Sequence, residues 1–242
     1  MKVALCLYGQ PRAIGQKWES IKSNLVDPNN CDLFFHSWYD PSNLQMNKMT
    51  PGHEARQFEP GLESSLVSAL NPKAYIIEQQ KSFTIKDWHI SEETFQACWP
   101  WATCYDRKTF ESDRIFAWQS MWYSIHKSIQ LKEEYSNENG FEYDCVIVMR
   151  FDVSPTSLLD VSNFDLQYFH THDERPRGEL SDWFMFSSNS SMNIVGSTYY
   201  MLNHHVKKMV EQNKITTNEG FLREQLSLFG IPVRNCNAEI TF

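Results

Sequence analysis

Two apolar runs constrain the fold of this chain more than any other feature. Residues 143–153 read Tyr-Asp-Cys-Val-Ile-Val-Met-Arg-Phe-Asp-Val, apolar at the centre and polar at the C-terminal end. Residues 3–8 read Val-Ala-Leu-Cys-Leu-Tyr and stop at Gly9-Gln10-Pro11. Neither run alternates apolar with polar residues, as a strand with one wet face does. A short continuous run closed by Gly and Pro predicts a strand buried on both faces, as in a parallel sheet covered by helices.

Helical spacing supplies such covers. Ile14, Trp18, Ile21 and Leu25 fit a helix over residues 13–26. Ile115, Trp118, Trp122, Ile125 and Ile129 form one stripe of a helix over 113–135, with Ser112 or Asp113 as its cap and Gln119, Tyr123 and His126 on an adjoining face. Further strands are predicted over 32–38 and 73–78. The polar segment 39–61 between them reads equally as a lid or a surface insertion, and its end leads into a short helix over 62–70. Beyond the long helix come a strand over 182–187 and a helix over 197–210. A last helix opens on the capping-box pattern Thr216-x-x-Glu219 and stops at Gly230-Ile231-Pro232. Residues 83–112 read as irregular and aromatic, and 154–180 as loops. Alternating strands and helices without repeat, low-complexity tract or linker predict one α/β domain, residues 1–242, with a mostly parallel central sheet.

Charge narrows the function. Lys and Arg number 22 against 30 Asp and Glu, a formal net charge of −8. Such a chain is a poor non-specific binder of nucleic acid or anionic membrane, so any phosphate ligand has to be met locally, by a few placed cations or a metal. No run is long enough to span a bilayer, and the first residues lack the pattern of a secretory signal. Cys6, Cys31, Cys98, Cys104, Cys145 and Cys236 include no Cys-x-x-Cys pair, and the expected compartment is the reducing cytoplasm. Aromatics at 14% suit a large core with a stacking cleft.

In open α/β sheets ligands sit beyond the carboxyl ends of the strands. Three polar clusters fall there: Tyr8-Gly9-Gln10-Pro11-Arg12, His36-Ser37-Trp38-Tyr39-Asp40 and Arg150-Phe151-Asp152. Period-two alternation sets Arg150 and Asp152 on one face. A cation and a carboxylate at one spot suit a diphosphate with a divalent ion, or equally a salt-bridged strand end. His170-Thr171-His172-Asp173 has the residue types of a metal site, but its flanks read as a loop, where no stable site is expected. His204 and His205 diverge on their helix. Arg175 and Arg177 read as a flap over phosphates or as a solvated loop.

The opening Lys-Val-Ala-Leu-Cys-Leu-Tyr-Gly-Gln-Pro-Arg, the Asp-Leu-Phe-Phe-His-Ser-Trp strand, the Ser-Met-Trp-Tyr-Ser-Ile helix and the Val-Met-Arg-Phe-Asp-Val strand together resemble a family of GT-A-like nucleotide-diphospho-sugar glycosyltransferases of bacteria, phages and large DNA viruses. The resemblance covers residues 2–231. It implies a Rossmann-like sheet, a nucleotide-sugar donor, a glycan or other hydroxyl acceptor, and Mn²⁺ or Mg²⁺; for a viral member the compartment is the host cytoplasm. In that family the central strand ends in Asp-x-Asp. Here Arg150 replaces the first carboxylate, so Asp152 keeps the metal role and Arg150 meets a phosphate, which puts strict metal dependence in doubt. The resemblance further implies donor binding by Tyr8, Gly9, Gln10, Arg12, Gln119, Tyr123 and Arg150, a base or acceptor ligand in Asp182, and a sugar-stacking face in Trp183. Glu219 competes with Asp182 for the base role but has a structural task in the capping box. The rival readings are a nucleotidyltransferase, disfavoured by the short Gly9–Arg12 match to a Gly-rich phosphate loop, a non-catalytic nucleotide or glycan binder on the same fold, and a His-x-His metal hydrolase.

Overall fold

The computed structural model of the chain describes residues 1–45, 57–83, 96, 107–173, 179–212 and 217–241, with backbone alone at 107–112 and 210. The two apolar runs are strands β1 (Val3–Gly9) and β4 (Cys145–Arg150), paired in parallel at the middle of a seven-stranded sheet. On the far side of β1 lie β2 (Asp32–Trp38) and β3 (Ala74–Glu78), both parallel to it. On the far side of β4 lie β7 (Phe184–Ser188), β6 (Phe169–Thr171) and β8 (Val233–Asn235). The order is β3-β2-β1-β4-β7-β6-β8. Four of its pairings are parallel; β4·β7 and β6·β7 are antiparallel. The sheet is mostly parallel, as the sequence predicts. A separate pair joins β5 (Ser154–Pro155) to β9 (Ile240–Thr241).

The continuous apolar runs are explained by the two cores they serve. Ala4, Cys6 and Tyr8 of β1 join Val146 and Val148 of β4 on one face. Val3, Leu5 and Leu7 join Ile147 and Met149 on the other. The first face is covered by α4 (Arg107–Glu138), α5 (Asn189–Gly196), α6 (Thr198–Glu211) and α7 (Asn218–Leu228), through Trp118, Trp122, Ile125, Val195, Leu202 and Phe221 among others. The second is covered by α1 (Ile14–Ile21) and α3 (Leu62–Leu70), through Ile14, Ile21, Leu66 and Leu70. The helix of α1 widens into a π turn at Lys22–Val26 and ends in the short α2 (Asp27–Asn29), where Asn30 turns left-handed. Cys6, Cys31, Cys145 and Cys236 are buried, free thiols.

Several expectations need correction. The long helix begins at Arg107, so neither Ser112 nor Asp113 caps it. Residues 189–196, unassigned from sequence, form α5, opened by Ser188 accepting from the Ser191 amide. The last helix is capped by Thr217, whose hydroxyl accepts from the Gly220 amide at 2.9 Å. Glu219 lies in the first turn, at the position before Gly220, while Thr216, Arg175 and Arg177 lie outside the described residues, as do much of the candidate lid and most of the aromatic stretch.

Candidate functional site

The chain runs from β1 outward to β2 and β3, then returns to place β4 on the opposite side of β1. That reversal makes the carboxyl ends of β1 and β4 the topological switch point, the position where open α/β sheets bind ligands. Tyr8 and Arg150 are register partners there. Tyr8 is 2% exposed, and its phenol donates to the Asp182 carbonyl at 2.6 Å. Burial, then the charge of Asp182, pushes its pKa well above the usual value, so it remains a hydrogen-bond donor.

Arg150 closes β4, and Asp152 lies in the turn just beyond it. The guanidinium grips the carboxylate with both ends: Nε donates to Oδ1 at 2.9 Å and Nη2 to Oδ2 at 2.6 Å. This planar fork on a carboxylate is the strong form of an ion pair. The salt-bridged strand end anticipated as the plain structural alternative is thus present. More converges on it, however. Arg150 stands 5.8 Å over the Trp183 ring. Because β7 runs antiparallel to β4, the residues that precede it, Asp182 and Trp183, arrive at β4's carboxyl end. Asp182 is buried, and Trp183 stacks on the His172 ring at 5.7 Å. Glu219, from the first turn of α7, is near enough to act electrostatically on Tyr8. Asp182, Asp152, Glu219 and Arg150 therefore all act electrostatically on one buried phenol at this end of the sheet.

The other expected donor residues divide. Arg12 folds back on Gln10, its Nε donating to the Gln10 amide oxygen at 2.9 Å, so these two pair with each other beyond β1. Gln119 is half-buried, with its Oε1 buried and without a hydrogen-bond partner among the described residues. Tyr123 belongs to a second cluster, at the ends of β2 and β3. Its ring stacks on Trp38 at 5.4 Å, and its hydroxyl accepts from Lys81.

That second cluster contains residues whose role sequence reasoning missed. His36 Nε2 lies 3.0 Å from Glu78 Oε1, and His36 Nδ1 2.8 Å from Ser124 Oγ. Glu78 pairs in turn with Lys81 at 2.7 Å. Burial lowers the His36 pKa to about 4, against the pull of the Glu78 hydrogen bond. The ring is then neutral, with its one proton on Nε2 toward the carboxylate and its Nδ1 accepting from Ser124. Ser124 Oγ also accepts the Gly9 amide at 2.8 Å. Serine, histidine and glutamate in sequence suggest a hydrolase triad, but His36 and Ser124 are both 0% exposed, and the hydroxyl oxygen is occupied by Gly9. A nucleophile has to be reached by its substrate, so this relay is structural. The readable signal was the alternation of β2: Phe34 faces the α4 core, and His36 two residues on faces the same way.

The chain matches no family model and no curated protein.

The His-x-His segment has other partners. His170 stacks on Phe186 at 4.8 Å with Nε2 at 2.9 Å from the Asp165 carbonyl. Among the described residues no three His, Cys, Asp or Glu side chains gather closely enough to hold a metal ion on their own. No helix among them is long and apolar enough to cross a membrane.

Proposed function

We propose that this chain transfers a sugar from a nucleotide-diphosphate donor to a hydroxyl acceptor. The observation that carries the reading is the convergence of Arg150, Asp152, Tyr8, Asp182 and Trp183 at the β1/β4 switch point, supported by the resemblance of the strand-end motifs to GT-A-like glycosyltransferases. In glycosyl transfer the anomeric carbon gains positive character as a nucleoside diphosphate departs. The leaving oxygens need a fixed positive charge, and the acceptor hydroxyl needs a base.

Arg150 meets the first need. Its orientation is set by the two hydrogen bonds to Asp152. Asp152 is the residue that would hold Mn²⁺ or Mg²⁺. Both its oxygens already accept from Arg150, so an ion there would share the carboxylate with the guanidinium and draw its remaining ligands from substrate phosphates and water. When bound, the ion supplies additional positive charge to the departing diphosphate. The Tyr8 phenol, held protonated and tied to the Asp182 carbonyl, fixes the backbone on which Asp182 stands. Asp182 takes the proton of the acceptor hydroxyl, and the half-buried Trp183, whose ring already meets His172 and Arg150, would contact the acceptor sugar through the part of the ring they leave open.

The test is release of nucleoside diphosphate from UDP-, GDP-, CDP- and ADP-sugars in the presence of mixed glycan acceptors. The wild type should turn over one class. Asp182→Asn should lose roughly a hundredfold or more of that turnover, as expected for a missing general base, while nucleotide affinity stays within about threefold of wild type. Nucleotide binding without turnover in the wild type would make the protein a non-catalytic binder. Joining of a sugar phosphate to a nucleotide, with no free diphosphate, would make it a nucleotidyltransferase.

A further inference from the structure

The relay behind the β1 turn has no place in the transfer chemistry, yet it ends on that turn. Gly9 adopts φ +97°, a conformation L side chains rarely take. Among the described residues, its two chain neighbours apart, no atom lies within 4 Å of where a Cβ would stand. The orientation of the Tyr8–Gly9 peptide is pinned from behind. The Gly9 amide donates to Ser124 Oγ, Ser124 is held by His36, and His36 by Glu78. These partners come from β2, β3 and α4, three elements far apart in sequence.

A buried polar chain of this kind is costly unless every member is satisfied, and here each bond in it supports the next. An apolar residue at 124 would leave the Gly9 amide without this acceptor. We infer that Ser124, oriented by His36 and Glu78, is a positioning residue that fixes the Gly9–Arg12 turn for the donor diphosphate. The inference rests on the donor reading above. The groups that face His36 are Glu78 from β3, Lys81 just after it, and Tyr123, Ser124 and Lys127 from α4, with Trp38 edge-on from β2 itself.

The experiment pairs two readouts on the full chain: affinity for UDP, GDP, CDP and ADP by calorimetry, and hydrogen exchange of the Gly9 amide by NMR. Ser124→Ala should bind the preferred diphosphate about tenfold more weakly, the effect of one lost hydrogen bond. Its Gly9 amide should exchange about tenfold faster without ligand. Ser124→Thr, which keeps the hydroxyl, should restore both. If the alanine variant does not fold, Glu78→Gln, at a quarter-exposed position, reads the far end of the relay and should shift both quantities in the same direction. Wild-type affinity together with wild-type Gly9 exchange in the variants overturns the inference. Weakened binding with unchanged Gly9 exchange also overturns it, since the effect would then not pass through the turn. If the wild type binds none of the four diphosphates, the donor reading fails, and Gly9 exchange alone decides whether Ser124 holds the turn.

Discussion

His36 shows how one buried side chain writes itself into the behaviour of the whole protein. Its pKa is about 4 in the fold and about 6.5 in the unfolded chain. The unfolded state therefore binds a proton that the native state refuses. Stability contributed by the neutral ring is complete above pH 6.5, falls as the pH drops from 6.5 toward 4, and changes no further below that. The loss across this window is on the order of 3 kcal/mol. Urea midpoints at pH 7.5, 5.5 and 4.5 should fall more steeply for the wild type than for His36→Asn, which removes this titration but leaves the surface carboxylates. Parallel slopes would show that the ring is not held neutral. Sequence alone revealed half of this residue: it marked His36 as part of a polar cluster at a strand end, but not that it is buried there. It gave no hint of Ser124 and Glu78 as partners, because hydrogen bonds across 88 and 42 positions leave no local pattern. Arg150 and Asp152 were the opposite case, two residues apart and legible as a pair.

At the scale of elements, legibility followed burial. β1, β2 and β4 are long and buried on both faces, and their apolar runs located them. β6, β8 and β9 are two or three residues each, too short to carry a period. α5 was hidden by its composition, Asn-Ser-Ser-Met-Asn-Ile-Val-Gly, in which half the residues are small polar ones that favour turns and caps. It is held as a helix by tertiary contacts. Lys132 of α4 has a side chain that is 0% exposed, and its ammonium reaches the Asn193 amide oxygen at 3.0 Å, with Asn189 and Glu133 as further partners. One buried cation thus ties α5 to α4. Lys132→Met keeps the apolar stem and removes charge-assisted hydrogen bonds to three partly exposed partners, so it should cost roughly 1–3 kcal/mol. A shift in the urea midpoint worth under ~0.5 kcal/mol, the level of an ordinary surface substitution, would show that the lysine is not a structural anchor.

For the whole molecule, the strand order decides where the proposed site lies. Parallel pairing of β1 with β4 at the reversal of the winding brings Tyr8 and Arg150 side by side. The antiparallel β7 adds Asp182 and Trp183 to the same corner, a placement that sequence could suggest only through resemblance, since the direction of a strand is not written in its residues. The acidic net charge is consistent with a protein that meets phosphate at one built point rather than over a broad basic face. The most direct test of that claim is a thermal-shift comparison of UDP, GDP, CDP and ADP, each with and without Mn²⁺, on the wild type and Asp152→Ala. Binding to the native state raises the melting temperature by mass action. One diphosphate should stabilise the wild type, more so with Mn²⁺, and the stabilisation should disappear in Asp152→Ala. A folded wild type whose melting temperature none of the four diphosphates moves, with or without the ion, would contradict a donor site at the β1/β4 switch point.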